Sequence, residues 1–451
     1  MRVKQTLLLA AGLIALATPA STAETITIGI GHQSTVTNTV PGGIILEKLE
    51  LLQKYLPKDG KYAGVQYELV YQDYTSGPPI TNQMLAGKLS FGVMGDYPLI
   101  VNGAKFEESK TGESRFIMVT GYNLKGTGNG IVVPVGSDIF SLEQLAGKSI
   151  STPVGSAAWG MTLKALRDKN MLDKVEIKNQ APPVGVANIA QGKIDAHADF
   201  CPWSEVMEFR GTGRKIFDGS EAGIPTFHGT VVTKEFAEKY PEIVEAYVKA
   251  TMEAQDWIEA DPVLAASKVS EWTGIEKEVL YLYFSKGGIS TFEGSIKPEW
   301  VEALKYDHAL LVKEKNVPPL SFDRWIDDTF VRAAFKAKGL DYEAAVKTVV
   351  TSKPDNPDLP PAEVWIDGDG IKTFDSVKAM SEAVRIAQKD GKTVLATYVY
   401  DKATGLKLFG KVAFFVQAKD GSLVPFMKKG DAESFAAANG GTLVDWKQIV
   451  S

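Results

Sequence analysis

The apolar positions change period repeatedly along the first third of the chain, and each change marks an element. Thr25-Ile26-Thr27-Ile28-Gly29-Ile30-Gly31 alternates, the two-residue rhythm of a strand with one buried face. Residues 41–56 read as helix and residues 66–72 alternate again. Strand–helix–strand units at this spacing predict a parallel α/β architecture. Residues 116–122 and 130–133 are expected to be strands that cross between two lobes. Residues 142–148 read as a short helix feeding a strand at 149–152, and a helix opening at Gly155-Ser156 runs to Lys169. Residues 227–232 read as a returning strand, followed by helices at 233–257, 262–273 and 276–284.

The densest stretch runs from Ser76 to Pro98. Ser76 is placed as an N-cap, and Pro78-Pro79 fall in the first helical turn, where an N–H has no partner anyway. Ile80, Met84 and Leu85 form an apolar stripe, Gly87 stops the helix, and Phe91-Gly92-Val93-Met94 reads as a buried strand. The strand empties into Gly95-Asp96-Tyr97-Pro98, a turn that opens another helix. Two helix N-termini at one sheet edge leave free N–H groups, a place for a small anion. A weaker echo follows: Ile189-Ala190-Gln191-Gly192-Lys193-Ile194-Asp195-Ala196 repeats the helix-end-into-strand phrase and ends at Asp199-Phe200-Cys201-Pro202-Trp203.

In open α/β sheets a ligand sits beyond the carboxyl ends of the strands. That rule selects His32, Gln33 and Ser34 after the first strand, Ser76 and Gly77 after the second, and Gly95, Asp96 and Tyr97 after the third. From a second lobe it selects Gly155, Ser156, Ala157 and Trp159, then Asp199, Cys201 and Trp203, with His228 on the hinge side. No arginine occupies these loops, so a monoanion or zwitterion held by dipoles is favoured over an ion-paired dianion. Tyr97, Trp159, Trp203 and Phe227 favour a ligand with an organic part.

The 451 residues imply more than one domain, and 44% hydrophobic with 23% charged residues is an ordinary globular balance. Arg2 and Lys4, an apolar run at 7–17 and Ser21-Thr22-Ala23 predict a secretory signal over residues 1–23, cleaved near Ala23, and hence a periplasmic protein. Loss of those two cations would take the net charge from −6 to −8, a poor match for nucleic acid. Cys201 is the only cysteine, which excludes an internal disulfide and a cysteine-rich metal site. The four histidines show no zinc-type spacing. Neither metal nor cofactor is expected.

The Ser-Gly-Pro-Pro … Ala-Gly-Lys-Leu-Ser-Phe-Gly … Gly-Asp-Tyr-Pro string resembles the signature of periplasmic binding proteins of the nitrate/sulfonate/taurine/bicarbonate class, which serve ABC importers. Leu142-Glu143-Gln144-Leu145-Ala146-Gly147-Lys148-Ser149-Ile150 and the Tyr240-Pro241-Glu242 and Asp261-Pro262 helix starts resemble the same family, over roughly residues 24–335. The resemblance implies a two-lobe type II fold, with lobe one at 24–122 and 225–340 including C-terminal helices, and lobe two at 123–224. It implies capture of a small organic anion or zwitterion, sulfonate- or taurine-like, by lobe closure without catalysis, and delivery to permease subunits in the inner membrane. Residues 341–361, with four prolines in the ten residues from Ser352, read as a linker. Residues 362–451 read as a separate small α+β module outside the solute site. Its ending, Leu423-Val424-Pro425-Phe426 … Gly440-Gly441-Thr442-Leu443-Val444-Asp445-Trp446, resembles the copper-carrying accessory lipoproteins of nitrous oxide reductase. The family's Cys-Gly-Met element is missing, and Met380 and Met427 are the module's only methionines, which puts copper binding in doubt. Two alternatives stay open: a periplasmic enzyme on the same two-lobe fold, and copper trafficking through the module.

Overall fold

The computed structural model describes residues 24–109, 112–123, 126–313 and 317–451. The expected signal at 1–23 lies outside the described residues. Lobe one is built on a six-stranded sheet. Its strands are β1 (Thr25–His32), β2 (Gln66–Asp73), β3 (Phe91–Gly95) and β4 (Ser114–Asn123), completed by two later strands. The alternation read at residues 25–31 holds only for the start of β1, whose last five residues are all buried, because one face packs on Ile80 and Leu89 and the other joins the apolar cluster with Ile45 and Tyr247. Lobe two carries β5 (Gly130–Pro134), β6 (Ser149–Thr152), β7 (Glu176–Asn179), β8 (Ala196–Asp199) and β9 (Gly213–Asp218), in spatial order β7-β6-β8-β5-β9. The chain then returns to lobe one as β10 (Thr226–Thr233) and β11 (Ser290–Thr291), giving the order β11-β4-β10-β3-β1-β2. β10 runs antiparallel between β3 and β4.

Two helical expectations break for visible reasons. The helix read over residues 41–56 is a 3-10 turn, Thr37–Gly42, followed by two short helices, Ile44–Lys48 and Leu51–Tyr55. A Cβ at Gly43 would stand 2.5 Å from the His32 ring, so this stretch is wrapped tightly on the end of β1. Glu50, in a left-handed conformation at φ 53°, separates the two helices. The helix read over 233–257 splits at Tyr240, where Pro241 opens the longer helix Pro241–Ala260.

The tail has two antiparallel sheets, of four and three strands. The larger includes the Ala362–Ile366 and Gly370–Phe374 hairpin, covered by the helix Val377–Lys389, none of which the periodicity delineated. A last helix, Trp446–Val450, follows a capping box in which Asp445 accepts from the Gln448 N–H at 2.8 Å. Between the lobes and the tail, residues 346–361 contain neither helix nor strand, yet Leu359 packs on Gly287.

The tail is anchored on the helix Lys277–Phe284. Tyr398 donates to the Glu278 carbonyl at 2.9 Å, and the Tyr281 ring meets Trp365 and Tyr398 at 5.5 and 5.2 Å. At the centre Lys407, fully buried, donates to Glu363 at 2.5 Å and to Ser285 at 2.7 Å. Burial pulls the Lys407 ammonium below its usual range, with Glu363 opposing. Lys407→Ala leaves the Glu363 charge buried and unpaired, and chemical denaturation should register a loss of about 3–5 kcal/mol. Lys407→Met combined with Glu363→Leu should recover most of it. A single variant as stable as the parent would show the pair to be dispensable.

Candidate functional site: the cleft between the lobes

The carboxyl ends of β1, β2, β3, β6 and β8 open towards one cleft, and β5 and β10, being antiparallel, bring their starts to the same edge. Gly130 is paired with Asp199, and His228 with Gly95. Three helix N-termini meet there. The helix Gly77–Leu85 starts after Ser76, which has cap geometry (φ −161°, ψ 164°) but no side-chain cap bond, leaving its hydroxyl uncommitted by the helix. A Cβ at Gly77 would stand 2.3 Å from Pro98 Cβ, so this start abuts the start of the helix Asp96–Ser109. Across the cleft the helix Ala157–Asp168 begins after Ser156, whose hydroxyl accepts from Trp159 N–H at 3.2 Å. Gly155, at φ +84°, faces Pro78 of the first helix, 3.6 Å from where a Cβ would be. Each helix end presents roughly half a positive charge to this point.

The lobes touch through aromatic packing. The Tyr97 ring lies flat against Gly160, where a Cβ would come within 1.9 Å of Tyr97 Cζ, and it meets Trp159 edge-on at 6.3 Å. Tyr97 also bonds to buried Asp307, and burial raises its phenol well above the ordinary range. Asp96 turns its carboxylate back into lobe one, accepting from the Thr226 hydroxyl and from the Tyr97 N–H, both at 2.7 Å. Burial still pushes the Asp96 carboxyl up to about 6.

The other predicted residues divide by what they already hold. Gln33 and Ser34 are buried, but Ser34 gives both its N–H and its hydroxyl to Asp73, at 2.7 and 2.6 Å. Gly95 is covered by the His228 ring, and Ala157 is buried at the helix start. Asp199 faces His197 at 2.8 Å and accepts from Phe200 N–H. Cys201 is buried beside Thr37 and Asn38 of lobe one, and burial pushes its thiol up to about 12, so it is a poor nucleophile at neutral pH. His32, His228 and Trp203 are buried, yet among the described residues His32 Nδ1, His228 Nδ1 and the Trp203 indole N–H have no hydrogen-bond partner. Thr152 Oγ1, at the end of β6, and Thr127 Oγ1, in the passage to β5, are in the same condition. Burial holds the His228 imidazole down to about 3 and lowers His32 as well, so both are neutral. A buried polar atom without a partner costs about 1–3 kcal/mol, and a polar ligand removes that cost.

Thr127, Thr152, Thr226 and Asp73 were missed. Thr152 stood at a strand end and was open to the same rule that selected Ser156. Thr226 bonds to a residue 130 positions away, which no local pattern signals. Ser151, His197 and Asp199 form a chain of hydrogen bonds at 2.8 Å each, in the order of a hydrolase triad. All three are fully buried, and a Cβ at Gly185 would stand 2.0 Å from the His197 ring, so the group is part of lobe two's interior. Among the described residues no cluster of three His, Cys, Asp or Glu is arranged to hold a metal.

Two lobes joined at a hinge, with helix N-termini converging on the gap, make up a two-lobe α/β fold. Residues 22–273, more than half of the chain, match the NMT1-like family, and the chain belongs to it. It is 30% identical over 197 residues to the taurine-binding periplasmic protein of Escherichia coli (strain K12), covering 43% of this chain and 58% of that protein. It is 25% identical over 209 residues to a putative aliphatic sulfonates-binding protein of Bacillus subtilis (strain 168), 46% of this chain and 61% of that one. The chain thus spans less than two-thirds of these curated relatives. The alkanesulfonate-binding protein SsuA from Xanthomonas axonopodis pv. citri, bound to MOPS, shares the fold with a TM-score of 0.56 at 18% identity, over 68% of this chain and all of that one. The periplasmic nitrate-binding protein NrtA from Synechocystis PCC 6803 does so with 0.52 at 15% identity, over 70% and 89%.

The Tyr97–Gly160 contact tests closure. Gly160→Ala improves local helix propensity by about 1 kcal/mol but drives a methyl group into the Tyr97 ring. The variant should keep its melting temperature yet show a larger radius of gyration in solution scattering, and Tyr97→Ala in the same chain should reverse the expansion. An unchanged radius in Gly160→Ala would remove this contact from the closure surface.

Proposed function

We propose that this protein is the solute-capturing component of an ABC importer, exported to the periplasm, and that it holds a small organic sulfonate or a similar monoanion or zwitterion by lobe closure without chemical turnover. The observation that carries the reading is the convergence of three helix N-termini from both lobes beside an uncommitted Ser76 hydroxyl. The unpartnered His32, His228, Trp203 and Thr152 groups supply further polar contacts, while the Tyr97 and Trp159 rings fit an organic part. The taurine- and sulfonate-binding relatives support this solute class. The buried Cys201 thiol and the enclosed Ser151–His197–Asp199 chain speak for binding rather than catalysis.

A thermal-shift panel of taurine, ethanesulfonate, nitrate and bicarbonate tests the reading, since stabilisation grows with concentration over affinity. A sulfonate should give the largest shift, and a panel without any shift would refute the assignment. Within the site, Ser76→Ala with Ser156→Ala should weaken calorimetric affinity by about 1–3 kcal/mol while leaving the melting temperature near that of the parent. Unchanged affinity would place the anion elsewhere.

Asp96 gives the site a pH dependence of definite sign. Its folded value near 6 lies above the ordinary carboxylate range, so its charge disfavours the folded state as pH rises through 6. That same charge repels an anion at the neighbouring helix start. Ethanesulfonate affinity should therefore rise as pH falls from 7.5 to 5.5, a window in which His228 stays neutral. Asp96→Asn should flatten the profile, and a steep profile surviving in that variant would assign the effect to Asp307, whose buried carboxyl is also raised and faces Asp96.

A further inference from the structure

A groove of about 610 Å³ runs between the outer edge of lobe two and the tail. It lies on the flank of the molecule and none of the cleft residues lines it. One wall comes from the end of the helix Trp203–Phe209 and the start of β9, the other from the smaller tail sheet and the last helix. Its volume falls within the ordinary range for small-molecule sites, which favour the junction of two structural units. Phe209, Phe414 and Trp446 line it half-buried.

The charges on these walls are unequally committed. Lys215 is shared by Glu205, Glu208 and Asp218 at 2.5, 3.7 and 3.3 Å, and Arg210 pairs with Glu276 at 2.6 Å. Asp445 is occupied in capping the last helix. Arg214 and Lys411 are different. Arg214 donates to the carbonyls of Ser137 and Ile139, at 2.6 and 2.9 Å, and its guanidinium stacks on the Phe140 ring at 3.9 Å. Lys411 donates to the Phe209 carbonyl and lies 4.2 Å above that ring. Among the described residues neither cation has a carboxylate within ion-pair distance. One belongs to lobe two and the other to the tail, and both face the same groove.

We propose that this groove is a second ligand site, for an amphipathic organic anion: an aryl or medium-chain alkyl body against Phe209, Phe414 and Trp446, and one carboxylate or sulfonate between Arg214 and Lys411. Such a ligand supplies a direct ion-pair partner to both cations, which otherwise have only the more distant Asp138, Glu276 and Glu278 carboxylates, and bridges lobe two to the tail. The site is independent of the solute reading for the cleft.

The test uses the full chain and two probes, 8-anilinonaphthalene-1-sulfonate read by fluorescence and 1-octanesulfonate read by calorimetry. The dye should bind at one saturable site, be displaced by octanesulfonate, and remain bound at saturating taurine. Octan-1-ol, with the same body and no charge, should bind about tenfold more weakly than octanesulfonate, equivalent to 1.4 kcal/mol. Lys411→Gln should remove most of that preference with an unchanged melting curve, and Trp446→Ala should weaken both probes. Ser76→Ala with Ser156→Ala should leave dye binding as in the parent. Absence of saturable binding, displacement by taurine, loss in the Ser76/Ser156 variant, or equal affinity for octanol and octanesulfonate would each overturn the proposal.

Discussion

Everything in the cleft depends on how the two passages between the lobes are pressed together. One leads from β4 to β5 and the other from β9 to β10. At their crossing Gly219 N–H donates to the Asn129 carbonyl at 2.8 Å, and a Cβ on Gly219 would stand 2.0 Å from the Gly126 carbonyl oxygen. Gly126 itself sits at φ +84°. A side chain at Gly219 would push the passages apart, and the separation at this pivot would be multiplied across the lobes. The glycines set the distance at which strand ends from both sheets share one gap. Each lobe has apolar packing of its own, and the largest apolar cluster runs on from lobe one through Phe200, Trp203 and Val206 of lobe two to Trp365 and Tyr398 of the tail.

The electrostatics of the gap follow from that distance. Three helix ends, each worth roughly half a positive charge, are brought together without a lysine or arginine among the predicted contacts. Dipoles and N–H groups hold an anion without the desolvation cost of burying a full cation. Asp96 moderates the arrangement, since its carboxylate consumes the Tyr97 N–H and the Thr226 hydroxyl that an anion would otherwise claim. The unpartnered buried atoms on His32, His228, Trp203, Thr127 and Thr152 are the converse: polar capacity that the protein itself leaves unspent.

Much of this was legible along the chain because it is local. The strand, turn and helix signals from Ser76 to Pro98 place two of the three helix ends, and the Gly155-Ser156 turn places the third. What could not be read is long-range. Ser34 spends its hydroxyl on Asp73, His197 lies under Gly185, and Tyr97 finds its surface on Gly160, each through a neighbour far off in sequence. The same holds for the helix read at 41–56, whose residues suit a helix but whose backbone has to bend around the His32 ring. In the tail the strand Ala362–Ile366 gives no periodic signal because its five residues are all buried and lack alternation.

The tail's position is fixed at a buried centre. Lys407 and Glu363 form a buried pair closed by Tyr281 and Tyr398, and the Lys407 ammonium lies 4.7 and 5.1 Å from those two rings. Such a pair is costly to desolvate and is retained where geometry, rather than net stability, is what it fixes. Its third partner, Ser285, belongs to the end of the helix Lys277–Phe284, whose Tyr283 hydroxyl bonds to Glu205 of lobe two. Lys428 reaches Glu221 of lobe two from the far side of the tail, at 2.5 Å. The tail therefore grips a helix at the hinge flank and the outer face of lobe two at once. Any rotation of lobe two about the Gly126–Gly219 crossing would have to carry the tail along or shear these contacts, so the tail is mechanically coupled to lobe two.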